Sequence, residues 1–195
     1  SDDIRAAQSA YMNEVQKHVD LNASKMLVDK LPLNLAEVAL ISKVFPGSKF
    51  LFVSRHPLDA VLSCFMQNFK LNEAMSNMLE LDDIVTVYDS VMDIFHIAVE
   101  KYSLDIHIVK YEELIEDMEN AVSNILKFMD LQWDDGVLHY RKTALSRDEI
   151  RTPSYAQVIQ PLYKNATFRW INYSQELEKY NLILEKWVQK LGYQI

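Results

Sequence analysis

The stretch Lys49-Phe50-Leu51-Phe52-Val53-Ser54-Arg55-His56-Pro57-Leu58-Asp59-Ala60-Val61-Leu62-Ser63 decides the reading of this chain. Phe50 to Val53 form a short apolar run without alternation, the pattern of a strand buried on both faces of a parallel sheet. Such a strand delivers Arg55 to its C-terminal edge, where α/β proteins place ligands. Pro57 and Asp59 then fit the first turn of a helix, since proline is tolerated at N1 and a carboxylate suits the macrodipole. Ser63 follows about two turns along that helix. A strand-end arginine, the backbone N–H groups of a helix start and a nearby hydroxyl together make an anion site. A solvated arginine and a serine that merely begins a turn remain the open alternative.

Composition bounds the classes. The 195 residues are 49% apolar and 25% charged, as expected of one globular domain covering 1–195. A chain of this size buries roughly 70% of its unfolded surface, enough for a core. The net charge of −8 disfavours nucleic acid as a partner, because neutralising phosphates needs a basic face. A small anionic cofactor held by a few local cations is compatible with it. Cys64 is the single cysteine, so no internal disulfide and no cysteine metal cluster is expected. No apolar run approaches about 18 residues and no signal peptide is visible, so the expectation is a soluble, cytoplasmic segment without a membrane contact. The glycines number three, Gly47, Gly136 and Gly192. Neither G-x-x-x-x-G-K-S/T nor G-x-G-x-x-G occurs, so the usual phosphate-cradling loops are absent from this sequence.

Periodicity predicts the elements. A helix capped by Asp2 or Asp3 runs to about Val19, and Met26 to Asp29 read as a short strand ending at Lys30. Asn34 is expected to cap the next helix, with Glu37 in a capping box, until Pro46-Gly47 breaks it. After the Pro57 helix come a methionine-rich stretch, a long helix near Asp83–Tyr102, a strand at Ile106–Tyr111, and an amphipathic helix from Glu112 to Leu131. A short helix at Tyr155–Gln160 and a closing helix at Asn172–Leu191 complete the chain. Strands alternating with helices imply an α/β fold, a parallel sheet flanked by helices with right-handed crossovers.

Three residues, Lys30, Arg55 and Tyr111, each follow an expected strand and so are expected to face one crevice. Lys30 alone reads equally as a surface lysine, and Tyr111 alone as an aromatic packed at a helix start. The stretch Arg151–Trp170 mixes hydroxyls, cations and aromatics in irregular chain, where binding loops concentrate. The five histidines show no metal-ligand spacing, and His56 stands out only by its place beside Arg55. Glu112-Glu113 and Asp134-Asp135 are expected to be solvated helix-start carboxylates.

These residues resemble the sulfotransferases that use 3′-phosphoadenosine 5′-phosphosulfate, most closely the tyrosylprotein and bacterial tetratricopeptide-linked branch. Four blocks carry the resemblance: Val28-Asp-Lys30-Leu-Pro32, Val53-Ser-Arg55 through Ser63, Lys110-Tyr111-Glu-Glu-Leu114, and Ser154 through Pro161 with Arg169-Trp170. The resemblance implies a P-loop-NTPase-like sulfotransferase fold lacking its first strand and glycine-containing phosphosulfate loop, and hence the C-terminal part of such a domain, truncated or diverged. It implies that Arg55 and Ser63 hold the cofactor's 3′-phosphate, that Arg169 or Lys164 closes over it, and that Tyr111 contacts adenine. Lys30 and Ser154 then lie near the transferring sulfuryl group. No metal is implied, the general base is unassigned, and the acceptor is a hydroxyl of protein tyrosine, a sugar or a small alcohol. An enzyme of this kind is the first expectation. The alternative is a non-catalytic nucleotide- or protein-binding module of the same fold, and an exposed sheet edge admits a homodimer.

Overall fold

The structure is a computed structural model and describes residues 2–22, 25–67, 75–145 and 167–194. The chain groups into two compact units, Ser1–Phe50 with Val91–Ile106, and Leu51–Ser90 with His107–Ile195.

In the first unit, α1 (Asp2–Gln16) starts on an acidic turn and ends three residues before Val19. It buries no residue fully; Tyr11 instead meets Phe45 edge-on at 5.2 Å and donates to Asp29 at 2.7 Å. That hydroxyl's pKa is pushed up to about 12, first by burial and then by the Asp29 carboxylate. The strand expected at Met26–Asp29 does not form. The segment is exposed, with Val28 at 68%, and it pairs with no strand among the described residues. α2 (Asn34–Val44) begins one residue early, because the turn from Leu31 to Asn34 already starts it; Asn34 is helical and Leu33 occupies the cap position. Gly47 turns the chain with φ +84, a conformation that side chains resist. The core of this unit is Val38 with Met92, Phe95 and Ala98.

The two strands, β1 (Phe50–Ser54) and β2 (Ile106–Lys110), lie side by side and parallel, starting from the Phe50 N–H bond to the Asp105 carbonyl at 2.9 Å. Burial along β1 alternates: Phe52 and Ser54 are buried, whereas Val53 is 60% exposed. The expectation of a strand covered on both faces is therefore corrected, since among the described residues one face of β1 lacks a packed layer.

In the second unit β1 leads into α3 (Pro57–Phe65), with proline at its start and Asp59 in its first turn as expected. A long helix, α4 (Leu81–Tyr102), precedes β2; its residues to Ser90 belong to this unit and those from Val91 to the first. The helix expected over Glu112–Leu131 is two helices, α5 (Tyr111–Glu116) and α6 (Met118–Phe128). Asp117 separates them by leaving helical backbone and capping α6, its carboxylate accepting the Asn120 N–H at 3.1 Å. α7 (Tyr140–Leu145) ends the described part before residue 167.

The closing helix is also segmented: a 3-10 turn at Arg169–Tyr173, α8 (Ser174–Leu177), a second 3-10 turn at Glu178–Tyr180, and α9 (Asn181–Lys190). Of the residues its period turns inward, Leu177, Tyr180, Leu184, Trp187, Val188 and Leu191 are buried while Tyr173 is only half-buried, and α9 packs on α3. Asp82 binds Lys179 and Tyr180, while Asp89, seven residues on, binds Lys186 and Trp187. The start of α4 and the α9 region thus run in the same direction in heptad register.

Candidate functional site

In the second unit the two strand ends meet. Parallel pairing puts the residue after β1 next to the residue after β2, and the Arg55 guanidinium lies over the Tyr111 ring, 5.4 Å from its centroid. The Arg55 side chain keeps 22% of its surface, so it is backed by protein yet open on one side. Behind it, 4.0 Å away, stands the Asp59 carboxylate, whose side chain is fully buried. Ser63 follows Asp59 by one turn on the same face of α3 and is exposed. Arg55, just before α3, and Ser63, one turn beyond Asp59 on it, therefore stand on either side of Asp59 along the chain.

Asp59 is not the solvated first-turn carboxylate its position suggests. Its Oδ1 accepts the Trp170 N–H at 2.9 Å, while Oδ2 is buried and meets no hydrogen-bond donor among the described residues. Burial pushes its pKa up, against the lowering pull of the backbone donors and of Arg55. The contact brings Arg169, the exposed residue before Trp170, to the part of the unit that holds Arg55.

His56 is wholly buried. Its ring stacks on Trp170 with centroids 4.9 Å apart and its Nε2 lies 3.0 Å from the Gln194 carbonyl. Burial lowers its pKa and keeps it neutral around pH 7. Glu112, expected in solvent, instead binds both neighbours: Oε1 accepts the His56 N–H at 3.0 Å and Oε2 accepts the Tyr193 hydroxyl at 2.7 Å. Lys110 donates to the Gly192 carbonyl at 3.1 Å and sits over the Tyr193 ring. The C-terminal residues are thus clasped to both strand ends.

Of the expected site residues, the second unit brings together Arg55, Tyr111 and the segment carrying Arg169; Ser63 is exposed on α3, one turn beyond Asp59. Lys30 belongs to the first unit and is exposed. Ser154, Lys164 and the short helix expected at Tyr155–Gln160 lie outside the described residues. Sequence reasoning missed Asp59, Glu112 and Tyr193 as supports. The i, i+4 spacing of Arg55 and Asp59 was the available signal for the first; Tyr193 carries none.

No helix among the described residues is long and apolar enough to cross a membrane. A family model described as the sulfotransferase family matches residues 2–135. An uncharacterized protein of Aquifex aeolicus (strain VF5) is 28% identical over 192 residues, spanning 96% of this chain and 24% of its own length. Protein-tyrosine sulfotransferase 2 of Gallus gallus is 28% identical over 185 residues, spanning 87% of this chain and 46% of its own. Protein-tyrosine sulfotransferase 1 of Danio rerio is 24% identical over 199 residues, spanning 97% and 54%. The chain thus covers about half, or less, of the length of these relatives.

Proposed function

We propose, given that this chain belongs to the sulfotransferase family, that it grips the nucleotide end of 3′-phosphoadenosine 5′-phosphosulfate and serves sulfuryl transfer to a hydroxyl acceptor. One observation carries the reading: a partly open arginine over a tyrosine ring, at the joined ends of two parallel strands, beside the start of α3. A cation over an aromatic face at the strand ends, with a hydroxyl farther along α3, suits a phosphate attached to a nucleoside. Arg55 and Ser63 would hold the 3′-phosphate, with Arg169 joining them from the Asp59-bound segment, and Tyr111 would lie against adenine.

When bound, the phosphosulfate supplies the sulfuryl group. The transfer calls for in-line positioning and cations on developing charge. The roles of Lys30 and Ser154 at that group, and of Lys164 over the phosphate, rest on the family resemblance. The names of the chicken and zebrafish relatives favour a protein tyrosine as acceptor. Removing a group that acts only on transition-state charge costs roughly 10²–10³ in rate. Lys30→Ala is accordingly expected to lower kcat more than cofactor affinity.

Adenosine 3′,5′-bisphosphate is expected to raise the melting temperature of the chain, adenosine 5′-monophosphate much less, and Arg55→Ala to abolish the difference. An equal response in wild type and Arg55→Ala would remove the assignment. Binding without sulfuryl transfer to a tyrosine peptide would favour a nucleotide-binding module.

A further inference from the structure

We propose that Asp59 is a positioning residue that couples the two cations of the anion site, giving Arg55 and Arg169 a common anchor. The inference rests on the nucleotide reading above and concerns how that site is kept in shape.

The observations come from both sides of the carboxylate. On one side Asp59 lies one turn from Arg55 and 4.0 Å from its guanidinium. On the other, it receives the backbone N–H of Trp170, the residue after Arg169 and 111 positions away in sequence. A first-turn carboxylate serving only the helix dipole gains nothing from burial, and burying an ionised carboxylate is costly unless donors and a cation surround it. Here one donor and one cation both meet Oδ1, while Oδ2 is buried with no hydrogen-bond partner among the described residues, so the burial serves the link rather than the carboxylate.

The gripped backbone is itself unusual. Phe168 adopts φ 54 and ψ 25, a left-handed conformation that a non-glycine residue holds only when its surroundings impose it. The Trp170 N–H bond to the buried carboxylate, together with the Trp170 ring stacked on His56, is that imposition. The chain therefore leaves Arg169 on a backbone tied down at the very next residue. A phosphate held by Arg55 and Arg169 meets two cations whose spacing is set before it arrives, which lowers the ordering cost of binding.

Two substitutions separate the halves of this role. Asp59→Asn keeps an oxygen that can accept the Trp170 N–H but loses the charge beside Arg55. Asp59→Ala loses both. Hydrogen exchange of the Phe168–Trp170 amides is read without ligand, and the affinity advantage of adenosine 3′,5′-bisphosphate over adenosine 5′-monophosphate is read by calorimetry.

Asp59→Asn is expected to retain amide protection near wild type while losing roughly tenfold in the 3′-phosphate advantage. Asp59→Ala is expected to lose protection by tenfold or more, about the equivalent of one hydrogen bond, and to lose the advantage altogether. Adding Arg169→Ala to Asp59→Ala is expected to weaken binding no further, although it weakens wild type. A wild type without any 3′-phosphate advantage refutes the nucleotide reading, whatever Asp59 does. A wild-type advantage that survives Asp59→Ala, or an Arg169→Ala effect of equal size in both backgrounds, refutes the coupling alone. Should Asp59→Ala fail to fold, Asp59→Asn decides: a 3′-phosphate advantage equal to wild type, or amides as unprotected as in the unfolded chain, overturns the proposal.

Discussion

Replacing Tyr193 by phenylalanine deletes a single oxygen and should loosen the whole C-terminal clasp. The Tyr193 hydroxyl donates to Glu112 Oε2 at 2.7 Å, and Ser54 Oγ stands 3.4 Å from the same oxygen. Glu112 uses its other oxygen on the His56 N–H, one residue beyond Arg55. A hydrogen bond to a charged group contributes about 1.5–3 kcal/mol. Because Tyr193 and Glu112 are only half-buried, the lower end applies, about 1.5 kcal/mol. The ring stays, so its contacts with Lys110 and His56 persist and no cavity opens. For a chain of this size a loss of that kind lowers Tm by about 3–6 °C. Thermal unfolding followed by circular dichroism measures it, with the half-exposed Tyr102→Phe as control. Burial and the Glu112 carboxylate both raise the Tyr193 pKa, so the hydroxyl remains a donor throughout the accessible pH range. Combining Tyr193→Phe with Glu112→Gln should cost less than the sum of the two, as partners in one bond are not additive. A Tm change no larger than that of Tyr102→Phe, or strict additivity in the double variant, would refute the clasp.

Two further outcomes follow from burial. Leu184, with no exposed surface at the contact of α9 with α3, should cost about 3 kcal/mol when cut to alanine; urea unfolding with unchanged m tests this, and a loss under about 1 kcal/mol would mean the helix is not packed as described. Burial lowers the folded-state pKa of His56 below its ordinary 6.5, so the unfolded chain binds the extra proton: the stability contribution is complete above pH 6.5 and is lost as pH falls below it. Asp59, whose folded pKa is raised above 3.8, acts in the opposite sense, its penalty growing as pH rises from 3.8. The difference between wild type and His56→Asn isolates the histidine, and equal slopes of stability against pH from 5 to 7 in the two proteins would exclude its role.

Much of the candidate site is local in sequence. The order strand, arginine, proline-led helix and hydroxyl is written in fifteen consecutive residues, because strand burial, the N1 tolerance of proline and helical spacing all act over a few positions. The core face of the last helix was equally readable from its period. Segmentation was not: Asp117 sits inside an unbroken apolar period, and only its carboxylate turning onto the Asn120 N–H divides α5 from α6. The strand expected at Met26–Asp29 failed for a related reason. Apolar residues supply a propensity, but a strand needs a partner for its backbone groups, and among the described residues none pairs with it.

What the sequence alone determined is therefore which groups can bind an anion, Arg55 and Ser63, and that a strand end and a helix start present them. Tertiary structure decided what stands behind them. Asp59, Glu112 and His56 look like ordinary helix-start polar residues, and their burial depends on Trp170, Tyr193 and Gln194, between 81 and 138 residues away along the chain. Desolvation is a property of the packed surroundings, and no local pattern announces which carboxylate will lose its water.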